Sequence, residues 1–218
     1  MTSGAHGWLL LRHAATAGST GCFVGCSDRP IEPVDDDELA RLVQAVGHVD
    51  VVVVTPLRRT KETLDLLVQA GMRPPSRLVI GERLVEQSFG RWEEQAYDLL
   101  AAADPAYWRF WDDPAGNEPP GGESYRAVFD RTLAAHRALA DSLEGQVLHI
   151  GHAGPIRALL AWQAGQDPRD ALTRHVAPLS LHRMQGGETV RTSSPGMEVR
   201  LHARATCRSS RTSDPGAT

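Results

Sequence analysis

"GWLLLR", residues 7–12, is an apolar run that stops on a cation, and His13 follows at once. A short apolar run without alternation describes a strand covered on both faces. Such a strand belongs in a mainly parallel sheet with helices packed above and below. "VDVVVVT" (49–55) and "QVLHIGH" (146–152) have the same character, and "RLVI" (77–80) reads as a further strand. Helical periods separate them. Leu39, Leu42, Val43 and Val46 recur at helical spacing behind the acidic run Asp35 to Glu38, which suits a helix N-terminus and needs no other role. "LRRTKETLDLLVQAG" (57–71) and "PIRALLAWQAG" (155–165) each read as a helix opened by Pro and closed by Gly. "YRAVFDRTLAAHRAL" (125–139) reads as a helix capped by Ser124. Strands alternating with helices in this way specify an α/β fold.

The chain has 218 residues, which suits one α/β domain around a single core. Its net charge of -4 argues against a nucleic-acid or anionic-membrane binder, so any anion it handles must meet local positive charge. No apolar run approaches the roughly 20 residues that span a bilayer, and "MTSGAHG" lacks the basic and apolar regions of an export signal. A cytoplasmic protein is expected. Cys22, Cys26 and Cys207 are too few for a disulfide framework, and no second Cys/His pair near Cys22 and Cys26 completes a metal site. Residues 92–124 form an aromatic-rich excursion that reads as a lid or binding loop. Its Trp92, Tyr97, Tyr107, Trp108, Phe110 and Trp111 read first as core, and secondly as a sandwich for a planar base. From about Ala203 the apolar period is lost, so residues 1–202 are expected to form the domain and 203–218 a disordered tail.

Two strands hand a histidine, His13 and His152, to the C-terminal edge of the sheet, where open parallel sheets bind ligands. A third strand end is followed by Arg58 and Arg59. Neighbours on a helix point about 100° apart, so one of the two arginines faces the crevice. Helix N-termini favour acids, and two arginines there are explained by an anionic ligand. A Gly-rich P-loop is absent, and no carboxylate cluster suggests Mg²⁺.

"LLRHAAT", "TPLRRTKET", "LVEQSFGRWEE", "PPGGES" and "IGHAGPIRALL" occur in the order found in the histidine phosphatase superfamily, also called phosphoglycerate mutase-like, and the chain resembles that family over residues 7–185. The resemblance implies a three-layer sandwich with a mainly parallel central sheet flanked by helices. It implies His13 as nucleophile and Glu86 as the acid and then base, with His152 beside them. Arg12, Arg59, Thr16 and Ala153 are the implied phosphate contacts, with Gly25, Glu123 and Ser124 on the substrate side. No metal or cofactor is implied, because arginines and histidines supply the positive charge. The implied partner is a small phosphate ester, and a homodimer is left open. "EQSFGRWEE" stands where cofactor-dependent mutases carry an "ERHYG"-like block, which disfavours mutase activity. "FGRWEE", "YWRFWDDPAGNEPPGGES" and "VAPLSLHRM" look most like bacterial α-ribazole phosphatases. Sugar or nucleoside phosphates are the alternative substrates, and a phosphate-binding module without turnover is the alternative class. Ala14, Ala15, Ala17 and Ala153 depart from the family's Gly and polar residues. A Gly-only dihedral at position 14 would displace the nucleophile.

Overall fold

A computed structural model describes residues 7–184 of the protein. Five strands, β1 (Trp8–Arg12), β2 (Val51–Val54), β3 (Arg77–Ile80), β4 (Val147–Gly151) and β5 (Leu181–Met184), form one sheet in the order β3-β2-β4-β1-β5. All neighbours run parallel except β5, which lies antiparallel to β1. The helices are α1 (Asp36–Val46), α2 (Arg58–Gln69), α3 (Tyr97–Ala103), α4 (Pro105–Asp112), α5 (Tyr125–Ala140), α6 (Ala153–Gln163) and α7 (Pro168–Leu172).

Period-2 geometry explains why β1 is apolar throughout. Leu9 and Leu11 point to one face and pack with Leu39 and Leu42 of α1 and Leu64 and Leu67 of α2. Trp8 and Leu10 point to the other and pack with Val128 and Phe129 of α5 and Ile156 and Leu159 of α6. Arg12 continues that second set, so it leaves the strand on the side of α5 and α6. The expected three-layer α/β sandwich is therefore what the chain forms. Since β4 lies between β1 and β2, the C-terminal ends of all three strands open onto one crevice.

Asp35 caps α1, its side chain accepting from the Glu38 N–H, and Ser124 caps α5 by accepting from the Ala127 N–H. Two helix starts differ from the sequence expectation. α2 begins at Arg58, two residues after Pro56, and α6 begins at Ala153, two residues before Pro155. The first turn of a helix has no intrahelical acceptors for its N–H groups, so Pro is tolerated anywhere in it. This shift makes His152 the N-cap of α6. The 92–124 excursion folds as α3 and α4 over a small apolar cluster of Phe23, Trp92, Leu100 and Phe110. Trp108 and Trp111 stay largely exposed, so the aromatics divide between core and surface. No helix among the described residues is long and apolar enough to cross a membrane. The tail from residue 203, with Cys207, lies outside the described residues.

One polar group sits in the middle of the sheet. His149 of β4 is fully buried and neither ring nitrogen has a hydrogen-bond partner, while nearby His136 of α5 is buried against Trp8. Desolvation pushes His149 down to about 3 and His136 down to about 4. In the unfolded chain both protonate near 6.5, so their full contribution to stability is present above that pH and is lost as pH falls toward the folded values. At pH 5 each should cost on the order of 2 kcal/mol relative to pH 7. Urea unfolding is expected to show a smaller drop between pH 7 and 5 for His149→Leu than for the parent. Equal drops would contradict this account.

Candidate active site

His13 follows β1 directly and is anchored there by its N–H bond to the Gly151 carbonyl of β4, 3.0 Å. Its ring is buried, and Nδ1 lies 2.6 Å from the Ala14 carbonyl. A carbonyl only accepts, so Nδ1 carries the proton and Nε2 holds the lone pair. Burial, followed by the charge of Arg59, pushes His13 down to about 3. The imidazole is thus neutral at neutral pH and can act as a nucleophile through Nε2.

The His152 ring stands edge-on to His13, with centroids 5.1 Å apart. Its Nδ1 accepts from Arg59 Nε at 3.2 Å, so its Nε2 carries the proton and donates to Thr55 Oγ1 at 2.8 Å. Thr55 ends the β2 segment and its hydroxyl is itself held against Thr60. Burial and the Arg59 charge hold His152 well below its ordinary value. Of the two arginines opening α2, Arg59 turns inward and is almost wholly buried, whereas Arg58 stays exposed and pairs with Glu62. Arg59 Nη1 donates to the Ser27 carbonyl and Nη2 to the Gly25 carbonyl, both at 2.7 Å. Three of its five N–H groups are so engaged, which leaves two for a ligand.

Arg12 Nη1 donates to the Val176 carbonyl at 2.7 Å, while its buried Nε has no acceptor among the described residues. Burial pushes both guanidiniums down, and Glu86 pulls both up. Neither has a carboxylate within ion-pair distance among the described residues. Two unneutralised cations beside two neutral imidazoles, at the N-terminus of α6, constitute a site for a compact anion.

Glu86 is half-buried on the opposite wall. Its carboxylate accepts from the Gly154 N–H at 3.1 Å and from its neighbour Gln87 N–H at 2.9 Å. A Cβ on Gly154 would come within 2.3 Å of Glu86 Oε1, so only glycine admits the carboxylate there. Gly25 is also constrained. Its φ is +52° and a Cβ would meet Glu93 Oε1 at 2.4 Å, which fixes the loop whose carbonyls hold Arg59.

The structure brings Arg12, His13, Arg59, Glu86 and His152 together, with Ala153 at the first position of α6. Thr16 is buried and bridges to Ile31 across the loop after β1. Glu123 and Ser124 carry structural bonds: Glu123 forms a two-pronged pair with Arg131 and also takes the Ser88 N–H, and Ser124 caps α5. Ala14 is not strained. The non-glycine residues with positive φ among those described are Glu94 and Leu179, so alanine fits position 14 and its N–H donates to Thr63 Oγ1 at 3.0 Å. Sequence reading passed over Thr55, Thr63, Tyr125, Arg131 and Gly154. Thr55 carried a signal, since it ends a third strand at the same sheet edge.

Bifunctional protein Rv2228c of Mycobacterium tuberculosis is 33% identical over 138 residues, 62% of this chain and 37% of that protein. The chain therefore spans little more than a third of that relative's length. The glucosyl-3-phosphoglycerate phosphatase of Mycolicibacterium vanbaalenii is 28% identical over 164 residues, 70% of this chain and 72% of the relative. Among solved structures, the α-ribazole phosphatase from Shigella flexneri superposes with a TM-score of 0.72 at 21% identity, covering 81% of this chain and 89% of the other. That likeness is one of fold. The model of the histidine phosphatase superfamily (branch 1) matches residues 8–193, a span that takes in every strand of the sheet, and the chain belongs to that superfamily.

Proposed function

We propose that the protein is a phosphomonoesterase working through a phosphohistidine on His13, with α-ribazole 5′-phosphate as its substrate. The observation that carries the chemistry is the tautomer of His13: the Ala14 carbonyl holds Nδ1–H, so a lone pair on Nε2 lies among uncompensated guanidiniums. In the first step Nε2 attacks phosphorus, the bond to the ester oxygen breaks, and Glu86 delivers a proton to the departing alcohol. In the second, Glu86 takes a proton from water as the water oxygen attacks phosphorus and the P–N bond breaks, releasing inorganic phosphate. Arg12 and Arg59 bind the non-bridging oxygens and stabilise their charge in both transition states. A binding module would have no use for the Glu86 carboxylate, which favours turnover.

Support for the leaving group comes from a cavity of about 560 Å³ whose lining combines the aromatic Phe23, Phe89, Phe110 and Trp111 with Gln87 and the charged Asp112, Asp113, Arg157 and Arg169. Gln87 adjoins Glu86 in sequence, and Arg157 is close enough for its charge to act on Arg12. The cavity therefore borders the site on the side where an alcohol would depart. Phe23 and Phe89 stack at 4.4 Å, a flat apolar wall that suits a benzimidazole. The M. vanbaalenii relative favours a second reading, a phosphorylated sugar–glycerate ester. Comparing kcat/KM for α-ribazole 5′-phosphate, glucosyl-3-phosphoglycerate and adenosine 5′-phosphate separates these readings. The ribazole ester is expected to lead by roughly a hundredfold, the scale of a well-filled pocket. A lead for the glycerate ester would overturn the assignment while leaving the phosphatase chemistry intact.

A further inference from the structure

Glu86 lies in an irregular segment after β3, and a carboxylate there needs outside support to hold one position through two proton transfers. Its support comes from α6. Beside the local bond from the Gln87 N–H at 2.9 Å, the Gly154 N–H donates to Glu86 Oε1 at 3.1 Å and to Oε2 at 3.3 Å. The carbonyl of the same residue, Gly154, accepts from the Tyr125 hydroxyl at 3.0 Å. Tyr125 is the first residue of α5, and only 1% of its surface is exposed. Burial, and then the Glu86 charge, push its phenol well above the ordinary value, so it stays protonated and can donate to that carbonyl. Its ring also reaches the carboxylate's surroundings, since a Cβ on Gly154 would lie 3.7 Å from Tyr125 Cε2 and 2.3 Å from Glu86 Oε1. From the other side, Arg131 of α5 donates to the Glu86 backbone carbonyl at 3.0 Å.

We infer that Tyr125 is a positioning residue for the proton-transfer step: its hydroxyl holds the Gly154 carbonyl and so fixes that residue at the start of α6, and the N–H of the same residue aims the Glu86 carboxylate at the ester oxygen. Tyr125 touches neither phosphate nor leaving group in this arrangement. Removing the hydroxyl frees the first turn of α6 to rotate, and the carboxylate drifts with it. Misplacement of a proton donor by a fraction of an ångström weakens the transfer without disturbing phosphate binding.

The inference rests on Glu86 being the acid, and the two can be separated by the leaving group. A 4-nitrophenolate departs without help, whereas an alkoxide needs a proton. Tyr125→Phe is therefore expected to lower kcat/KM for an alkyl phosphate, which reports phosphoenzyme formation, by about tenfold, less than the roughly 10² or more that a whole general acid contributes. Its kcat/KM for 4-nitrophenyl phosphate should stay within about twofold of the parent, because phosphoryl transfer from that ester needs no proton and the phosphate contacts are untouched. Glu86→Gln serves as the control, with a larger split in the same direction. Equal loss on both esters in Tyr125→Phe, or no loss, overturns the positioning role while the Glu86 split stands. An absent split in Glu86→Gln overturns the acid assignment, and the inference falls with it. Should Tyr125→Phe fold poorly, Tyr125→Met, which also keeps an apolar side chain without the hydroxyl, is expected to give the same split between esters; uniform loss there counts against the inference.

Discussion

Replacing His13 by alanine is expected to lower kcat by on the order of 10⁴-fold or more while leaving affinity for inorganic phosphate largely intact. The reason lies in how the two roles are divided. His13 supplies the lone pair, and its neutral state is secured by burial and the Arg59 charge that push it down to about 3. Anion binding falls instead to Arg12, Arg59 and the start of α6, none of which the substitution touches. The ring is buried but makes only one hydrogen bond, to the adjacent Ala14 carbonyl, so its removal should leave the fold in place. Steady-state assays together with a calorimetric titration of inorganic phosphate check both halves. A variant retaining a tenth of parental activity would show that another group attacks phosphorus.

Arg59→Ala is expected to reduce kcat/KM by on the order of 10³-fold, through a different route. The guanidinium holds the Gly25 and Ser27 carbonyls and the His152 Nδ1 at once, so its loss removes phosphate charge and loosens the loop around the site. Arg59→Lys is the sharper variant. A lysine restores the charge but cannot span three acceptors set at the corners of a planar fork. Less than tenfold recovery over Arg59→Ala is expected. Near-parental activity in Arg59→Lys would mean that charge alone accounts for this position.

Much of this was legible along the chain because local chemistry carried it. β1, β2 and β4 announced themselves as continuous apolar runs, and the sheet needs them to be so, since Leu9 and Leu10 face different helical layers. The pairing of His13 with His152 followed from two strands ending at one edge. The geometry also selected Arg59 over Arg58 for the reason anticipated, that helical neighbours cannot both face inward. What stayed hidden were contacts between segments remote in sequence. Nothing in the local sequence sets Gly154 apart from other small residues, yet Glu86 lies against its Cα, and Tyr125 stands in the sequence only as the first residue of a helix. Glu123 is another such case: its place beside two glycines says nothing of the pair that its carboxylate makes with Arg131 of α5, eight residues further along the chain. Ala14 shows the limit of reasoning from a family pattern, because glycine's dihedral freedom is not required at that position here.

The central claim is a covalent bond between phosphorus and His13 Nε2. With 4-nitrophenyl phosphate, whose leaving group departs without a proton, formation of the phosphoenzyme outpaces its hydrolysis. Turnover mixtures quenched in alkali, followed by peptide mapping, should place an alkali-stable, acid-labile phosphate on His13, absent from His13→Ala. Label on any other residue, or a burst of 4-nitrophenolate with no phosphopeptide, would contradict the account.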